Sequence, residues 1–134
     1  MINSRRKGAA GERAACQELK DRFGWDAHRT QQYSGYSDGN SPDIVCDQTP
    51  GLFWEIKRVE RINLMKVLAL AEKQAGRKCP IVMHRPNKCP VGWMITLKLE
   101  DLPRLVHAYE IAISDQVATQ ALPSTNAGDC PGGE

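Results

Sequence analysis

Apolar residues recur along this 134-residue chain at helical spacing in three places. The spacing predicts one helix over residues 8 to 23, a second over residues 62 to 75, and a third that starts near Leu99 or Pro103 and ends at about Ile113. Glycines that can cap a helix follow the first two segments. The apolar stripe of the first helix consists of Cys16, Leu19 and Phe23.

Five shorter runs have the composition of β-strands. They cover residues 25 to 30, 43 to 47, 52 to 57, 80 to 84 and 92 to 97. The turn sequence QTPG separates the second run from the third, which predicts a hairpin. Residues 31 to 42 are rich in Ser, Gly, Asn and Asp and predict a mobile loop.

The order of elements is helix, three strands, helix, two strands, helix. We therefore expect an α/β fold in which a central mixed sheet is flanked by helices. The length suits one domain over residues 1 to 113. Residues 114 to 134 show no sustained period and end in Gly, Pro and Ser, so they predict a disordered tail.

Composition favours a soluble protein of the cytoplasm. Hydrophobic residues make up 41% of the chain, but no apolar run approaches the roughly 20 residues that span a bilayer. The N-terminal sequence MINSRRKGAAGER lacks the apolar centre of a secretory signal. Five cysteines at irregular spacing fit reduced thiols in an intracellular protein better than a disulfide framework.

A zinc site is one alternative use of the cysteines. Cys79, His84 and Cys89 carry side chains that ligate zinc. The chain has no CxxC pair, however, and a structural zinc ion takes four ligands. Ordinary thiols around a strand are the simpler interpretation.

Charge is distributed unevenly, although the net charge is only +2. Residues 56 to 90 hold nine Lys or Arg against two Glu, a local balance of +7. Residues 91 to 134 hold two basic and six acidic residues, a balance of −4. A basic segment of this kind indicates a face that meets a polyanion such as nucleic acid, or else a solvated surface.

Charged residues also interrupt the second and third predicted strands, in SPDIVCDQTPGLFWEIK. Because side chains alternate along a strand, Glu55 and Lys57 share one face while Trp54 and Ile56 take the other. The hairpin would place Asp43 beside Glu55. Two carboxylates and a lysine suit a Mg²⁺ site that hydrolyses a phosphodiester. An ordinary cross-strand ion pair on the surface is the alternative.

Glu12 adds a third carboxylate. It lies four, seven and eleven residues before Cys16, Leu19 and Phe23, and so continues the apolar stripe of the first helix toward the sheet. The helix dipole favours a glutamate in the first turn, but it does not explain this choice of face.

These segments together carry a family resemblance. RKGAAGER (6 to 13), HR (28 and 29), SG (34 and 35), SPDIV (41 to 45) and FWEIK (53 to 57) occur in the order seen in the PD-(D/E)XK nuclease superfamily. The chain most resembles the archaeal-type Holliday junction resolvases, over about residues 5 to 102. The resemblance implies a restriction-endonuclease-like core, in the order αβββαβ with an extra strand and a C-terminal helix.

The resemblance also implies a metal-dependent active site. Glu12, Asp43 and Glu55 would hold Mg²⁺, for which Mn²⁺ would substitute, together with the main-chain carbonyl of Ile56. Lys57 would be the catalytic lysine. No small-molecule cofactor is implied.

Contacts to branched or duplex DNA are implied for other positions. Arg6 and Arg29 match family arginines that contact DNA, and Ser34 and Gly35 match a mobile segment that closes on the junction. Such resolvases are homodimers, so we expect a homodimer here. From their charge, we expect further phosphate contacts at Arg5, Lys7, Arg58, Arg61, Lys66, Arg85 and Lys88.

Two departures from the family keep other functions open. The helix after the lysine has its glutamine late, at Gln74, and the segment RPNKCPVGW is longer and more basic than expected. A related repair, restriction or phage nuclease that cuts duplexes, flaps or ends is therefore an alternative. An inactive DNA-binding module is another, and the presence of all four expected site residues disfavours it.

Overall fold

A computed structural model describes residues 4–30, 41–88 and 90–121, with side chains described from residue 8 to residue 118 of these ranges. The elements are α1 (Ser4–Phe23), β1 (Ala27–Arg29), β2 (Ile44–Cys46), β3 (Leu52–Lys57), α2 (Leu64–Ala75), β4 (Cys79–His84), β5 (Met94–Thr96) and α3 (Leu102–Ala121), with a short 3₁₀ turn at Leu99–Asp101. Their order is the order predicted from the sequence.

The five strands form one mixed sheet in the order β1-β2-β3-β4-β5. The first three strands form an antiparallel meander, α2 crosses over to bring β4 parallel to β3, and β5 returns antiparallel to β4. The prediction of an α/β fold with a mixed sheet flanked by helices is confirmed, including the β2–β3 hairpin.

The sheet is covered on both faces because its central strands carry apolar residues on both. Trp54 and Ile56 of β3 belong to a core cluster that includes Leu19 of α1 and Ala112 of α3. Phe53, on the opposite face, packs with two alanines of α2, Ala71 and Ala75. The larger core therefore lies between the sheet and the pair α1 and α3.

Local capping explains where α2 begins and ends. The side chain of Asn63 accepts a hydrogen bond from the main-chain N–H of Lys66 at 3.1 Å, so the helix starts at Leu64, two residues later than the first residue predicted. Gly76 closes the helix with a φ of +62°, a conformation that L side chains rarely adopt. The predicted glycine cap is confirmed.

The ends of the other two helices correct the sequence prediction. α1 begins at Ser4 rather than at residue 8. α3 continues to Ala121, so residues 114 to 121, which were expected to belong to a disordered tail, are helical. The side chain of Gln116 donates a hydrogen bond of 2.8 Å to the carbonyl of Phe23, which ties this part of α3 to α1. Residues 122 to 134, and residues 31 to 40 of the loop predicted over residues 31 to 42, lie outside the described residues.

An open groove of about 430 Å³ with a mainly apolar lining lies between α1, α3 and the sheet. We call it the apolar groove; its lining includes Phe23, Trp54, Trp93, Ile95 and Tyr109. It lies on the Trp54 face of the sheet, away from Glu55. In the part of the chain that the structure describes, no helix is both long enough and apolar enough to cross a membrane.

Candidate active site

Asp43 stands immediately before β2 and is fixed to β3 by its main chain and its side chain. Its N–H donates to the carbonyl of Trp54 at 3.0 Å, and its Oδ2 accepts a hydrogen bond of 2.8 Å from the N–H of Ile56. Ile44 lies opposite Trp54 in the antiparallel pair, so the next position along each strand sets Asp43 beside Glu55. The side chain of Asp43 thus occupies the point where β2 stops pairing with β3.

Glu55 and Lys57 project from the opposite face of β3 to the buried pair Trp54 and Ile56, as the alternation of the strand predicts. The side chain of Glu55 is 16% exposed and that of Lys57 is 39% exposed. Lys57 Nζ lies 3.9 Å from Glu55 Oε2. The ammonium therefore stands beside the carboxylate pair at the solvent-facing margin of the site.

The two carboxyl groups share a poorly hydrated space. Burial, together with the charge of Asp43, raises the pKa of Glu55 to about 7, and the Lys57 ammonium opposes the rise. Burial likewise raises the pKa of Asp43, while the hydrogen bond from Ile56 lowers it. A hydrogen bond between the two carboxyl groups favours the proton on Glu55. A proton or a cation shared by two such carboxyl groups offsets their mutual repulsion.

Glu12 lies near the pair but has a partner of its own. Its Oε1 accepts a hydrogen bond of 2.8 Å from Nε of Arg29 on β1. Its charge is close enough to raise the pKa of both Asp43 and Glu55. The structure thus brings two of the predicted carboxylates together and sets the third at their edge, where Arg29 neutralises it.

A glycine allows α1 to come this close to the site. A methyl group on Gly11 would lie 3.2 Å from Cβ of Arg58, the residue that follows β3, so an alanine there would require a shift of a few tenths of an ångström. Gly11 immediately precedes Glu12. The position of Glu12 beside the end of β3 therefore depends on this close contact.

The donor atoms fit a hard divalent cation bound by few protein ligands. Among the described residues, no three His, Cys, Asp or Glu side chains converge closely enough to hold a metal ion. Mg²⁺ needs only one or two carboxylates, because it retains waters and takes phosphate oxygens. Asp43 and Glu55 would supply these carboxylates. The carbonyl of Ile56 points to the same strand edge as its N–H, which faces Asp43.

Basic residues follow the ends of β3 and β4, the end of the sheet at which Lys57 stands. Arg58 is partly buried, and its Nε has no hydrogen-bond partner among the described residues. Arg61 is exposed. Arg85 lies over the ring of Trp93, 5.8 Å from its centroid, and Lys88 is exposed. These positions suit contacts with a polyanion that approaches this end of the sheet.

The other predicted DNA contacts lie away from this end of the sheet or outside the described residues. Lys66 is exposed in the first turn of α2, and Arg29 is engaged by Glu12. The first turns of α1 contain Arg5, Arg6 and Lys7, whose side chains lie outside the described residues, as do Ser34 and Gly35. These assignments remain predictions. Gln74 lies near the C-terminal end of α2, which leads into the start of β4 rather than toward the end beside Lys57.

The predicted alternative of a zinc site is wrong, because Cys79 and His84 are too far apart to bind the same ion. Cys79 and His84 are the first and last residues of β4, about 16 Å apart along an extended strand and on opposite faces of the sheet. Cys79 is buried in the core, and His84 Nε2 lies 2.9 Å from Thr96 Oγ1. Cys89 lies outside the described residues.

His84 is a neighbour of the candidate active site, although the sequence analysis considered it only as a zinc ligand. In the parallel pair of β3 and β4, it lies directly beside Lys57. The one sequence feature that could have pointed to this role is the position of His84, a polar residue at the end of the apolar run PIVMH. Its meaning depends on the register between two strands separated by a helix, which the sequence pattern alone does not give.

Comparison of the chain with protein-family models, with curated proteins and with solved structures finds no match. The resemblance to a nuclease superfamily therefore rests on the motifs of the sequence. The chemistry of the site rests on its own residues and their geometry.

Proposed function

We propose that this protein is a Mg²⁺-dependent endodeoxyribonuclease of the PD-(D/E)XK type, and that it resolves four-way DNA junctions as a homodimer. The observation that carries the proposal is the grouping of Asp43, Glu55 and Lys57 at one end of the sheet, with Lys57 Nζ 3.9 Å from Glu55 Oε2. A surface ion pair would not need a second, half-buried carboxylate beside it.

The residues of the site divide the work of phosphodiester hydrolysis. Asp43, Glu55 and the carbonyl of Ile56 would hold the cation, with Glu12 at the edge of the site. The bound cation would lower the pKa of a water and offset the negative charge that develops on the phosphate. The N–H of Ile56 fixes the Asp43 carboxylate. The Lys57 ammonium would stabilise negative charge on the phosphate oxygens, an effect strengthened in a poorly hydrated site.

DNA would be held through its backbone. Arg58, Arg61, Arg85 and Lys88 lie in the segments that follow β3 and β4, so they can contact phosphates on either side of the scissile bond. Phosphate contacts orient a duplex without reading its sequence. Recognition would then depend on the shape of the DNA, and a second copy of the chain would supply the second nick of a symmetric junction.

Two alternatives use the same fold. A related repair, restriction or phage nuclease would cut linear duplexes, flaps or ends with the same residues. An inactive DNA-binding module would keep the basic residues alone. The raised pKa of Glu55, together with the fixed geometry of Asp43, favours a catalytic site over the inactive module.

The decisive experiment offers the full chain a synthetic four-way junction beside linear duplex, flap and single-stranded DNA, with Mg²⁺, with Mn²⁺ and with EDTA. Paired symmetric nicks on the junction alone, dependent on either cation, are the expected result. Equal cutting of linear duplex would contradict junction resolution and favour the first alternative. Binding without cutting under every cation condition would favour the second.

A further inference from the structure

β4 ends in a buried polar residue. All six of its positions are buried, and His84, the last, is 7% exposed. The other two histidines of the chain, His28 and His107, are exposed. A buried imidazole requires a partner, and Thr96 Oγ1 of β5 provides one at 2.9 Å from Nε2. This contact fixes the plane of the ring.

The register of the sheet sets that ring next to the candidate active site. Lys57 pairs with His84, and Glu55 pairs with Val82, whose other neighbour is Thr96. The side chains at all these positions lie on one face, because they are two residues apart on each strand. Neighbouring strands are about 4.8 Å apart, so the side chains of Lys57 and His84 start from adjacent positions on this face, and the ring of His84 reaches Thr96 on β5.

A hydrogen bond holds the main chain at this point, whereas the Lys57 ammonium is not within hydrogen-bond distance of Glu55. The N–H of Arg85 donates to the carbonyl of Lys57 at 3.0 Å, which holds the two strand ends together. The Lys57 side chain is 39% exposed, and its ammonium lies 3.9 Å from Glu55 Oε2, beyond hydrogen-bond distance. A lysine has a flexible four-carbon stem, so a neighbouring wall is needed to keep its ammonium near the carboxylates.

We propose that His84, held by Thr96, is a positioning residue that confines the side chain of Lys57 to conformations directed at the carboxylate pair. The role rests on the proposed nuclease function, because Lys57 must stabilise the phosphate for its position to affect a rate. Burial lowers the pKa of His84, which favours an uncharged ring on the strand next to Lys57. An uncharged wall restricts the lysine without repelling it.

The kinetic test uses single-turnover cleavage of a four-way junction with saturating Mg²⁺. His84→Ala should lower the rate about 10- to 100-fold, the range that follows from a small misplacement of a reacting group, and leave the Kd for junction DNA unchanged. His84→Gln should restore part of the rate, because its terminal amide can reach Thr96. His107→Ala, an exposed histidine on α3, should cleave as the unaltered protein does.

A second readout does not depend on cleavage. Reductive methylation with ¹³C-formaldehyde gives each lysine an NMR signal, and Lys57→Arg identifies that of Lys57. His84→Ala should move the Lys57 signal toward the shift of a freely rotating lysine, and Thr96→Val should move it in the same direction. His107→Ala should leave it in place.

The outcomes separate the two proposals. If the unaltered protein cleaves the junction, then an unchanged cleavage rate and an unchanged Lys57 signal in His84→Ala overturn the positioning role. No cleavage by the unaltered protein overturns the proposed function, while the Lys57 signal still decides whether His84 confines the lysine. If His84→Ala does not fold, Thr96→Val and His84→Gln carry both measurements.

Discussion

Glu12 and Arg29 form an ion pair in which Arg29 Nε donates to Glu12 Oε1 at 2.8 Å. The pair ties α1 to β1 beside the Asp43 and Glu55 carboxyl groups. Both residues were expected at the site, one as a metal ligand and the other as a DNA contact. Their pairing means that Arg29 controls how much negative charge the carboxylate pair experiences.

Removal of the Arg29 charge should strengthen cation binding. Arg29→Gln leaves Glu12 without its counter-charge, so the site becomes more negative and the Kd for Mn²⁺, measured by calorimetry, should fall several-fold. Arg13→Gln makes the same change of charge at an exposed position of α1 and should have a smaller effect. Equal changes in the two variants would show that only net charge matters.

Asp43→Asn should remove cutting and preserve binding. The amide oxygen can still accept the hydrogen bond from Ile56, so the hairpin should keep its geometry, while the carboxylate that would hold the cation is lost. We expect the cleavage rate to fall by at least about 100-fold, beyond the effect of losing an outer-shell partner of a metal. The Kd for junction DNA, measured by fluorescence anisotropy, should change little.

Asp47→Asn is the matched control, since Asp47 is an exposed acid just beyond the other end of β2. It should cleave at the full rate. Full-rate cleavage by Asp43→Asn would show that the metal site is misplaced.

The stability of the cation-free protein should decrease as the pH rises from about 4.5 to about 7. Burial raises the pKa of Glu55 from 4.5 to about 7, so the folded state holds this proton more tightly than the unfolded chain. The stability that this bound proton contributes is therefore fully present below about pH 4.5, the pKa of Glu55 in the unfolded chain. It is lost as the pH rises through about 7, the pKa of Glu55 in the folded protein. The loss should reach at most about 3 kcal/mol in the free energy of unfolding.

Urea denaturation in EDTA at several pH values measures this loss. Glu55→Gln should flatten the dependence, because the amide does not titrate. Glu60→Gln, at an exposed position, should retain the slope. A stability that rises through this pH interval in the unaltered protein would contradict the description of the carboxylate pair.

Thr49→Val should destabilise the fold. The indole Nε1 of Trp54 donates to Thr49 Oγ1 at 3.1 Å, and both residues are buried. Valine has the shape of threonine but leaves the indole N–H unpaired, which costs about 1 to 3 kcal/mol. Thr49→Ser keeps the hydroxyl and should retain most of the stability in urea denaturation. Equal losses in the two variants would assign the effect to packing rather than to the hydrogen bond.

Sequence reasoning succeeded where the relevant geometry is local. The faces of Glu55 and Lys57 follow from the alternation of one strand, and the approach of Asp43 follows from a hairpin with a short turn. Helix α2 and its cap follow from spacing and from Gly76. Residues 114 to 121 were missed because a weakly periodic helical segment resembles a tail in composition.

Tertiary geometry was less accessible. The pairing of Glu12 with Arg29 depends on how α1 crosses β1, and the place of His84 beside Lys57 depends on a register set across α2. Neither contact has a fixed spacing along the chain. The hypothesis of junction resolution, and the roles of the basic residues, remain predictions that the experiments above test.

The sheet also separates the carboxylate face from the apolar groove, which makes the protein convenient to engineer. Ile95 pairs with Met83, lines the groove and is 47% exposed. A fluorophore attached through Ile95→Cys, in a variant whose native cysteines are replaced, would therefore be screened from the carboxylates by the full thickness of the sheet. Such a label would report on folding or association, while the charges that surround Asp43, Glu55 and Lys57 stay as they are.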